Sequence, residues 1–343
     1  MTGVAGVALF LELLFRILPV SSSTATGYYT DPLILTYPPH HRWTTATGWD
    51  LRNARKLEAN NLGYVAGHDF EINENAVALV GDSFVEASML AVEDRPGEQL
   101  ERELGARPVY AVGSPGTALL DYAERIRFMH EHFHVRDFVI LMERGDVLQS
   151  LCGSGNVHGR CLEPKTLEPR IETLPPPSMG KRLLRYSALA QYLVSQIRFS
   201  PREFWQHVAP SRPAELVAKD SAFGARAKAG SAFATSTATP VVDAVTNTFF
   251  ARVKPHLQGK LIIVLDTNRA ALYVGSLASD PERSRFINLA RAAGAIVIDT
   301  EPLVRSHLAR SPLKLDVGPY DGHLNSLGIR LYAEAAAAEL KKP

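Results

Sequence analysis

Cysteine is scarce in this chain, and neither sign of charge is in excess. Only two cysteines occur in 343 residues, and 37 basic side chains are balanced by 36 acidic ones. Because no basic run stands out, the sequence has no electrostatic footprint for nucleic acid, and no such partner is predicted. The chain also lacks a P-loop and a dinucleotide fingerprint. We therefore predict no cofactor.

Metal-binding patterns are also missing. His130, His132 and His134 alternate along a predicted helix, where a step of two residues turns the side chain by about 200°, so the three cannot converge on one ion. The two cysteines and His158 match no usual zinc spacing. No metal is predicted.

Cys152 and Cys161 bracket a glycine-rich segment, GSGNVHGR. In an oxidising compartment such a short loop would close as a disulfide, which stabilises the fold by ~2–3 kcal/mol. The alternative is a pair of free thiols.

Long apolar runs are confined to the N-terminus. Residues 4–20 read VAGVALFLELLFRILPV and are apolar except for Glu12 and Arg16, which are spaced i, i+4 and can pair on one helix face. As a helix this run would span roughly 26 Å, slightly short of a typical hydrocarbon core. No basic residue precedes it and no clear cleavage site follows, which favours an uncleaved single-pass membrane anchor over residues 1–21, with an extracytoplasmic (periplasmic) domain behind it. A cleaved signal and an amphipathic helix docked on the domain are the alternatives.

The rest of the chain divides into two parts that differ in their hydrophobic pattern. Residues 22–75 show no sustained period and are predicted to be a stalk and lead-in. Over residues 76–343, short apolar runs alternate with segments of helical spacing; the runs are AVALV (76–80), PVYAV (108–112), DFVILM (137–142), KLIIVL (260–265) and AIVID (295–299). This alternation predicts a three-layer, doubly wound α/β domain with a mostly parallel five-stranded sheet. Residues 147–240 break the rhythm and are predicted to be an insertion.

A nucleophile candidate follows the first predicted strand. Gly81-Asp82-Ser83 is a turn of small residues at the strand's carboxyl end, the edge where such sheets bind ligands. Serine is a weak nucleophile until a base accepts its proton. Near the end of the chain, Asp321 and His323 lie two residues apart, close enough for the carboxylate to orient the imidazole. The three side chains form a possible Ser–His–Asp triad.

These motifs resemble the SGNH (GDSL-like) hydrolase superfamily. VALVGDSFVEA (77–87) looks like its first block, AVGSPGT (111–117) is similar to its second, and DGHLNSLG (321–328) matches its last. The resemblance covers residues 76–146 and 258–340. It implies a flavodoxin-like sheet, a triad of Ser83, His323 and Asp321, and an oxyanion hole that includes the backbone amides of Ser83 and Gly113.

Asp82 and Asn325, which lie within the matching blocks, are the candidates for substrate binding.

The third block departs from the family pattern G-x-N-D, because residues 143–146 read ERGD and lack the asparagine. Loss of one oxyanion donor typically costs ~3–4 kcal/mol in the barrier. Arg144 could substitute as a cationic donor, Asn156 or Asn268 could reach in, or the enzyme could be slow or inactive. Alternatively, Glu143 and Arg144 form a structural ion pair.

The D-x-H spacing and the apolar N-terminus resemble membrane-associated members that modify polysaccharide O-acetyl groups. The resemblance implies an O-acyl ester hydrolase or acyltransferase, acting on acetyl groups of a cell-envelope polysaccharide or exopolysaccharide, or on another small ester. A catalytically weak glycan-binding or polysaccharide-assembly protein with the same fold is the alternative.

Overall fold

The computed structural model describes residues 2–22, 28–105, 107–174, 178–197, 238–319 and 321–343. Residues 198–237 lie outside these ranges, so the predicted insertion over 147–240 is described only in part.

The strands of the described residues belong to one central sheet and three small hairpins. In chain order they are β1 (Tyr28–Asp31), β2 (Ile34–Thr36), β3 (Arg42–Thr47), β4 (Arg52–Glu58), β5 (Val77–Gly81), β6 (Val109–Gly113), β7 (Asp137–Met142), β8 (Arg160–Leu162), β9 (Pro169–Ile171), β10 (Leu261–Leu265) and β11 (Ile296–Asp299).

The α-helices vary widely in length. In chain order they are α1 (Thr2–Ile17), α2 (Ser83–Glu86), α3 (Pro96–Glu103), α4 (Leu119–Phe133), α5 (Asp146–Gln149), α6 (Met179–Leu184), α7 (Ala188–Gln191), α8 (Ala238–Val253), α9 (Arg269–Tyr273), α10 (Pro281–Ala292), α11 (Glu301–Arg310) and α12 (Ser326–Lys341).

The central sheet has the order β11-β10-β7-β5-β6, and every neighbouring pair is parallel. Numbered along the chain and read from the other edge, this is 2-1-3-4-5, the flavodoxin-like doubly wound order. The five predicted strands are confirmed to within one residue at each end. In such a sheet the ligand-binding crevice lies beyond the carboxyl ends of strands 1 and 3, which here are β5 and β7.

Both faces of the sheet are covered, which gives the predicted three layers. Alternate strand residues such as Val80 and Ile140 pack with α4, α8 and α10, whereas Leu79 and Leu141 pack with α3 and α12. Burial on both faces explains why these strands are continuous apolar runs rather than alternating ones.

The lead-in folds into two antiparallel hairpins, β1–β2 and β3–β4. Trp43 and Leu57 pack with Ala59 and Val65 in a small separate core. The hairpin β1–β2 lies against the sheet, because the hydroxyl of Ser114, just after β6, donates to the carbonyl of Leu35.

Helix α1 packs against α7. The predicted pair forms, with Arg16 Nε 2.8 Å from Glu12 Oε1, and Glu12 also accepts from the backbone amides of Ala188 and Leu189 at the start of α7. Phe15 stacks on Tyr192 at 4.1 Å between ring centroids. Among the residues that the structure describes, none of the helices combines the length and the hydropathy needed to span a bilayer.

Candidate active site

The turn after β5 presents Ser83 as the first residue of α2. Asp82 caps this helix, since its Oδ1 accepts from the amide of Phe84 at 2.8 Å. Gly81 is required for the tight turn: a Cβ there would lie 2.5 Å from the Val85 side chain and 2.7 Å from the Leu141 carbonyl oxygen. The small residues of this motif therefore bring a serine to the carboxyl edge of the sheet.

Asp321 and His323 lie on the loop between α11 and α12, which is braced by its own backbone. The amide of Val317 donates to the carbonyl of His323 at 2.9 Å, and the amide of Gly318 donates to the carbonyl of Asp321 at 2.7 Å. Asp321 Oδ1 also accepts from the amide of His323 at 2.9 Å. This bracing fixes the direction of both side chains.

The fold brings the three side chains together across 240 residues of sequence. His323 Nε2 lies 2.8 Å from Ser83 Oγ, and His323 Nδ1 lies 2.5 Å from Asp321 Oδ1. With the ring proton on Nδ1, the imidazole donates to the carboxylate and accepts from the serine hydroxyl. This is the chain of hydrogen bonds that a serine nucleophile needs.

The acids around His323 tune its basicity. Burial acts to lower the pKa of His323, but the hydrogen bond and charge of Asp321, helped by Asp82 and Glu86, outweigh burial and raise the pKa above its ordinary value of 6.5. Burial acts to raise the pKa of Asp321, but the hydrogen bond and charge of His323 hold it below its ordinary value. The pair thus favours imidazolium and carboxylate, the state that forms once the serine loses its proton.

Arg269 is a functional residue that the sequence reasoning missed. The guanidinium is buried; it donates to Asp316 from Nε at 2.7 Å, to Asp266 from Nη1 at 2.5 Å and to the carbonyl of Gly322 from Nη2. Since Gly322 lies between Asp321 and His323, Arg269 ties the loop of the acid and base to the end of β10.

Phe84 links the two halves of the site. Its ring lies 5.0 Å from the His323 ring and 5.6 Å from the Arg269 guanidinium, measured to the ring centroids. The residue that follows the nucleophile therefore packs on the imidazole and on the arginine that braces its loop.

The sequence also contains no sign of a contact between the lead-in and the site. Tyr37, just after β2, donates its hydroxyl to the buried carboxylate of Glu86 at 2.7 Å. Burial raises the pKa of Glu86, while the hydrogen bonds from Tyr37 and Ser88 and the charge of His323 oppose the rise. The lead-in therefore contributes to the electrostatics of the triad.

Further buried acids lie beside β5 and β7. Burial raises the pKa of Asp82. It raises that of Glu143 to about 7, with Asp266 and Asp82 adding to the rise. Asp146 is fully buried; its Oδ2 accepts from the Tyr122 hydroxyl at 2.9 Å, and burial together with Asp82 and Glu143 places its pKa well above the ordinary range.

The three predicted side-chain donors for an oxyanion each contact another group: Arg144 and Asn156 do so through a nitrogen, and Asn268 through its Oδ1. Arg144 Nε lies 3.6 Å from Glu143, which matches the alternative of an ion pair at the strand end. Asn268 caps α9 by accepting from Ala271, and Asn156 donates to Gln149.

Of the predicted backbone donors, Gly113 ends β6 beside Gly81. A Cβ at Gly113 would lie only 2.4 Å from the amide nitrogen of Glu86, so glycine is needed for the close approach of α2.

The two substrate-binding candidates differ in position. Asp82 is buried directly beside the nucleophile, with Ser83 Oγ 3.5 Å from its Oδ2. Asn325 instead caps α12 by accepting from Gly328 and donates to the carbonyls of Lys314 and Asp316. The structure gives Asn325 a role in bracing the loop.

Cys152 and Cys161 are joined by a disulfide with a Cα–Cα distance of 5.1 Å. The bond closes the segment that carries Asn156 and His158. Both side chains reach Gly116, after β6: the position of a Cβ on this glycine would be 3.8 Å from Asn156 Oδ1 and from His158 Nε2.

A surface cavity of about 550 Å³ lies at the opposite edge of the sheet. Its lining includes Asn73, Arg136 and Gln258, which precede β5, β7 and β10 respectively. This cavity is at the amino ends of the strands and takes no part in the triad.

The sheet and the three side chains define a class: a flavodoxin-like α/β protein with a Ser–His–Asp arrangement at the topological switch point of its sheet.

Comparison with protein-family models and with curated proteins gave no match. Similar solved structures include a member of the lipolytic G-D-S-L family from Veillonella parvula, at 12% identity and a TM-score of 0.40, with 78% of this chain and 99% of that chain covered. Another is LAE5, an alpha/beta hydrolase enzyme from the Lake Arreo metagenome, at 12% identity and a TM-score of 0.38, with 82% and 99% covered. The fold class follows from the chain's own sheet.

Proposed function

We propose that the protein is a serine-dependent O-acyl ester hydrolase or acyltransferase that works through an acyl-Ser83 intermediate. The observation that carries the proposal is the continuous hydrogen-bonded chain from Ser83 Oγ through His323 to Asp321, with links of 2.8 and 2.5 Å. Distances in this range let a base take the proton of a nucleophile within one step.

In the first half-reaction, Ser83 Oγ attacks the acyl carbonyl carbon while its proton passes to His323 Nε2. Asp321 holds the ring in the correct tautomer and stabilises the imidazolium. The tetrahedral intermediate collapses by breaking the bond to the alcohol oxygen, which takes the proton back from His323. The products are the free alcohol and acyl-Ser83.

In the second half-reaction, a hydroxyl group attacks the carbonyl carbon of acyl-Ser83 and loses its proton to His323. The bond between the acyl carbon and Ser83 Oγ then breaks, and Ser83 Oγ takes the proton from His323, which restores the free enzyme. Water as the acceptor gives hydrolysis, and a sugar hydroxyl gives acyl transfer. We propose acetyl groups of a cell-envelope polysaccharide or exopolysaccharide as the target; this part rests on the resemblance of the D-x-H motif to members that modify polysaccharides.

We further propose that α1 attaches the protein to a membrane with the catalytic domain on the periplasmic side. The side chains of Val4, Phe10 and Ile17 are 79%, 64% and 84% exposed, which is unusual for apolar residues on a packed helix. A disulfide also suits an oxidising compartment. Flotation with lipid vesicles should be lost in Phe10→Glu and kept in the control Ile171→Glu, and retention in the former would contradict the attachment.

The activity is tested by release of p-nitrophenol from p-nitrophenyl acetate and by labelling with a fluorophosphonate probe. We expect turnover and a covalent adduct on Ser83, both lost in Ser83→Ala and kept in Ser306→Ala, which changes an exposed serine on α11. An acetylated oligosaccharide formed from an added glycan would identify the acyltransferase. A wild-type protein with neither turnover nor adduct would refute the proposal.

A glycan-binding or assembly protein is the second candidate function. The observation in its favour is that Arg144, Asn156 and Asn268 are each bound to another group. This alternative predicts that oligosaccharide binding, measured by calorimetry, is unchanged in Ser83→Ala and that no ester is cleaved.

A further inference from the structure

Two loops flank the nucleophile at the carboxyl edge of the sheet. Because β5 lies between β6 and β7, Ser83 has the segment after β6 on one side and the segment after β7 on the other. Gly116 belongs to the former and Gly145 to the latter. These two segments lie one strand away from the serine on either side, so a contact between them spans the position of β5 at the carboxyl edge of the sheet.

Two carboxamides form such a bridge. Gln149, the last residue of α5, has its Nε2 2.6 Å from the position that a Cβ on Gly145 would take. Its Oε1 accepts from Asn156 Nδ2. Asn156 in turn reaches Gly116, as its Oδ1 lies 3.8 Å from the Cβ position of that glycine.

The same region is in electrostatic contact with the nucleophile turn. Glu143 Oε2 lies 2.6 Å from the Cβ position of Gly145, as close as Gln149 Nε2 does. Burial raises the pKa of Glu143, and the charges of Asp266 and of Asp82, the neighbour of Ser83, add to the rise. Gln149 therefore lies beside Glu143, a carboxyl group that interacts electrostatically with the turn of Asp82 and Ser83.

The donor of Gln149 is available. Its Oε1 is held by Asn156, and within the described part of the chain Nε2 has no acceptor. Backbone bonds fix the segment around it, since the Gln149 amide donates to the carbonyl of Gly145 at 2.9 Å and the Ser154 hydroxyl donates to the carbonyl of Gln149. A carboxamide N–H so held is a neutral, oriented donor.

We propose that Gln149 Nε2 donates a hydrogen bond to the oxyanion that forms when Ser83 attacks an acyl group, and that Asn156 positions it. The inference rests on the proposed function of the same site. In the third block of the SGNH pattern, the asparagine that donates to the oxyanion would stand at position 145, which is glycine in this chain. The inference assigns this donation to Gln149, whose amide nitrogen lies 2.6 Å from where the Cβ of a residue at position 145 would be.

The test compares Gln149→Met, which keeps the length of the side chain but has no donor, with Gln258→Met at the opposite edge of the sheet. For p-nitrophenyl acetate we expect kcat to fall about 100- to 1,000-fold in Gln149→Met, with KM changed by less than about threefold, because the lost bond exists only in the transition state. Gln258→Met should match the wild type.

A rescue variant separates donation from a structural role. In Gln149→Ala, one of the two groups that crowd a Cβ on Gly145 is gone. The other, Glu143 Oε2 at 2.6 Å, is the end of a side chain that can turn aside, so that Gly145→Asn in the same chain supplies a new carboxamide there. We expect the double variant to recover at least about tenfold in kcat over Gln149→Ala. No recovery, or a Gln149→Met variant within about threefold of the wild type, overturns the inference while the esterase stands. A wild type without turnover or adduct refutes the proposed function and, with it, the role of Gln149.

Discussion

His323 must be neutral to accept the proton of Ser83, so its pKa sets the acidic limit of activity. The ring is protonated below its pKa, which Asp321, Asp82 and Glu86 raise above 6.5 against the effect of burial. Activity should therefore fall as the pH drops through a midpoint above 6.5.

Asp321→Asn tests this assignment. We expect kcat to fall about 10⁴-fold because the ring loses its orienting carboxylate, and the midpoint of the acidic limb to move to lower pH because the raising charge is gone. The measurement is kcat/KM for p-nitrophenyl acetate between about pH 5 and pH 9. Asp243→Asn, which alters an ion pair on the surface of α8, is the control. An unchanged midpoint would contradict the pairing.

Arg269 should act as a positioning residue. Arg269→Lys keeps the positive charge but cannot donate at once to Asp266, Asp316 and the carbonyl of Gly322. We expect the free energy of unfolding to fall by about 1–3 kcal/mol and the rate of Ser83 labelling to fall at least about tenfold. Arg285→Lys, in an exposed pair with Asp243, should change neither by a measurable amount.

Adding the fluorophosphonate at saturating concentration separates the two roles of Arg269. If the arginine merely stabilises the fold, the labelling rate of the folded fraction stays at the wild-type value. A slower rate at full occupancy shows that the loop has moved His323 relative to Ser83.

The sequence could reveal some of these residues but not others, for a physical reason. Ser83 follows a buried strand in a turn of small residues, and Asp321 and His323 are neighbours, so their signals are local. Arg269 contacts a carbonyl 53 residues away, and nothing in its own segment records that contact. Gln149 lies one helical turn after Gly145, but its contact with Asn156 forms only once the segment closed by the disulfide folds back on α5.

At the scale of elements, the central sheet was predictable because burial on two faces leaves a strong pattern, and the five apolar runs became β5, β6, β7, β10 and β11. The lead-in hairpins were not, because strands such as β4 expose most of their residues and alternate weakly. The break between α6 and α7 was not predictable either, because Ser187 caps α7 and the first amides of α7 donate to Glu12, which is far away in the sequence.

The disulfide between Cys152 and Cys161 should support both the stability of the fold and the contact between Asn156 and Gln149. Replacing Cys152 and Cys161 by serine opens a loop of about ten residues, and we expect the free energy of unfolding to fall by ~2–3 kcal/mol. Urea unfolding measures the change. Because Asn156 lies inside the loop, kcat should also fall.

The wild type treated with dithiothreitol is the matched control for the double serine variant, because it opens the same loop without a substitution. Equal losses in both are expected. A variant as stable and as active as the oxidised wild type would show that the loop keeps its shape without the bond.

At the scale of the whole molecule, the catalytic edge is built over buried acids. Burial raises the pKa of Asp121 and of Glu143 to about 7 and holds that of Asp146 well above its ordinary value of 3.8. The folded protein therefore binds protons that the unfolded chain has released, from about pH 4 upward. Where the folded state holds more protons, stability falls as the pH rises.

The free energy of unfolding should accordingly decline between about pH 4.5 and pH 7, by up to ~1.4 kcal/mol per pH unit for each proton retained. Asp146→Asn keeps an oxygen that accepts from the Tyr122 hydroxyl and from the Glu143 amide, but it cannot ionise. The free energy of unfolding of this variant should therefore decline less steeply with pH than that of the wild type, and any excess stability of the wild type should disappear at high pH. Urea unfolding at several pH values measures both slopes, with Asp243→Asn as the surface control. Parallel curves for wild type and Asp146→Asn would mean that Asp146 is ionised in the folded state, and that the acids at this edge are neutralised by the nearby arginines rather than by retained protons.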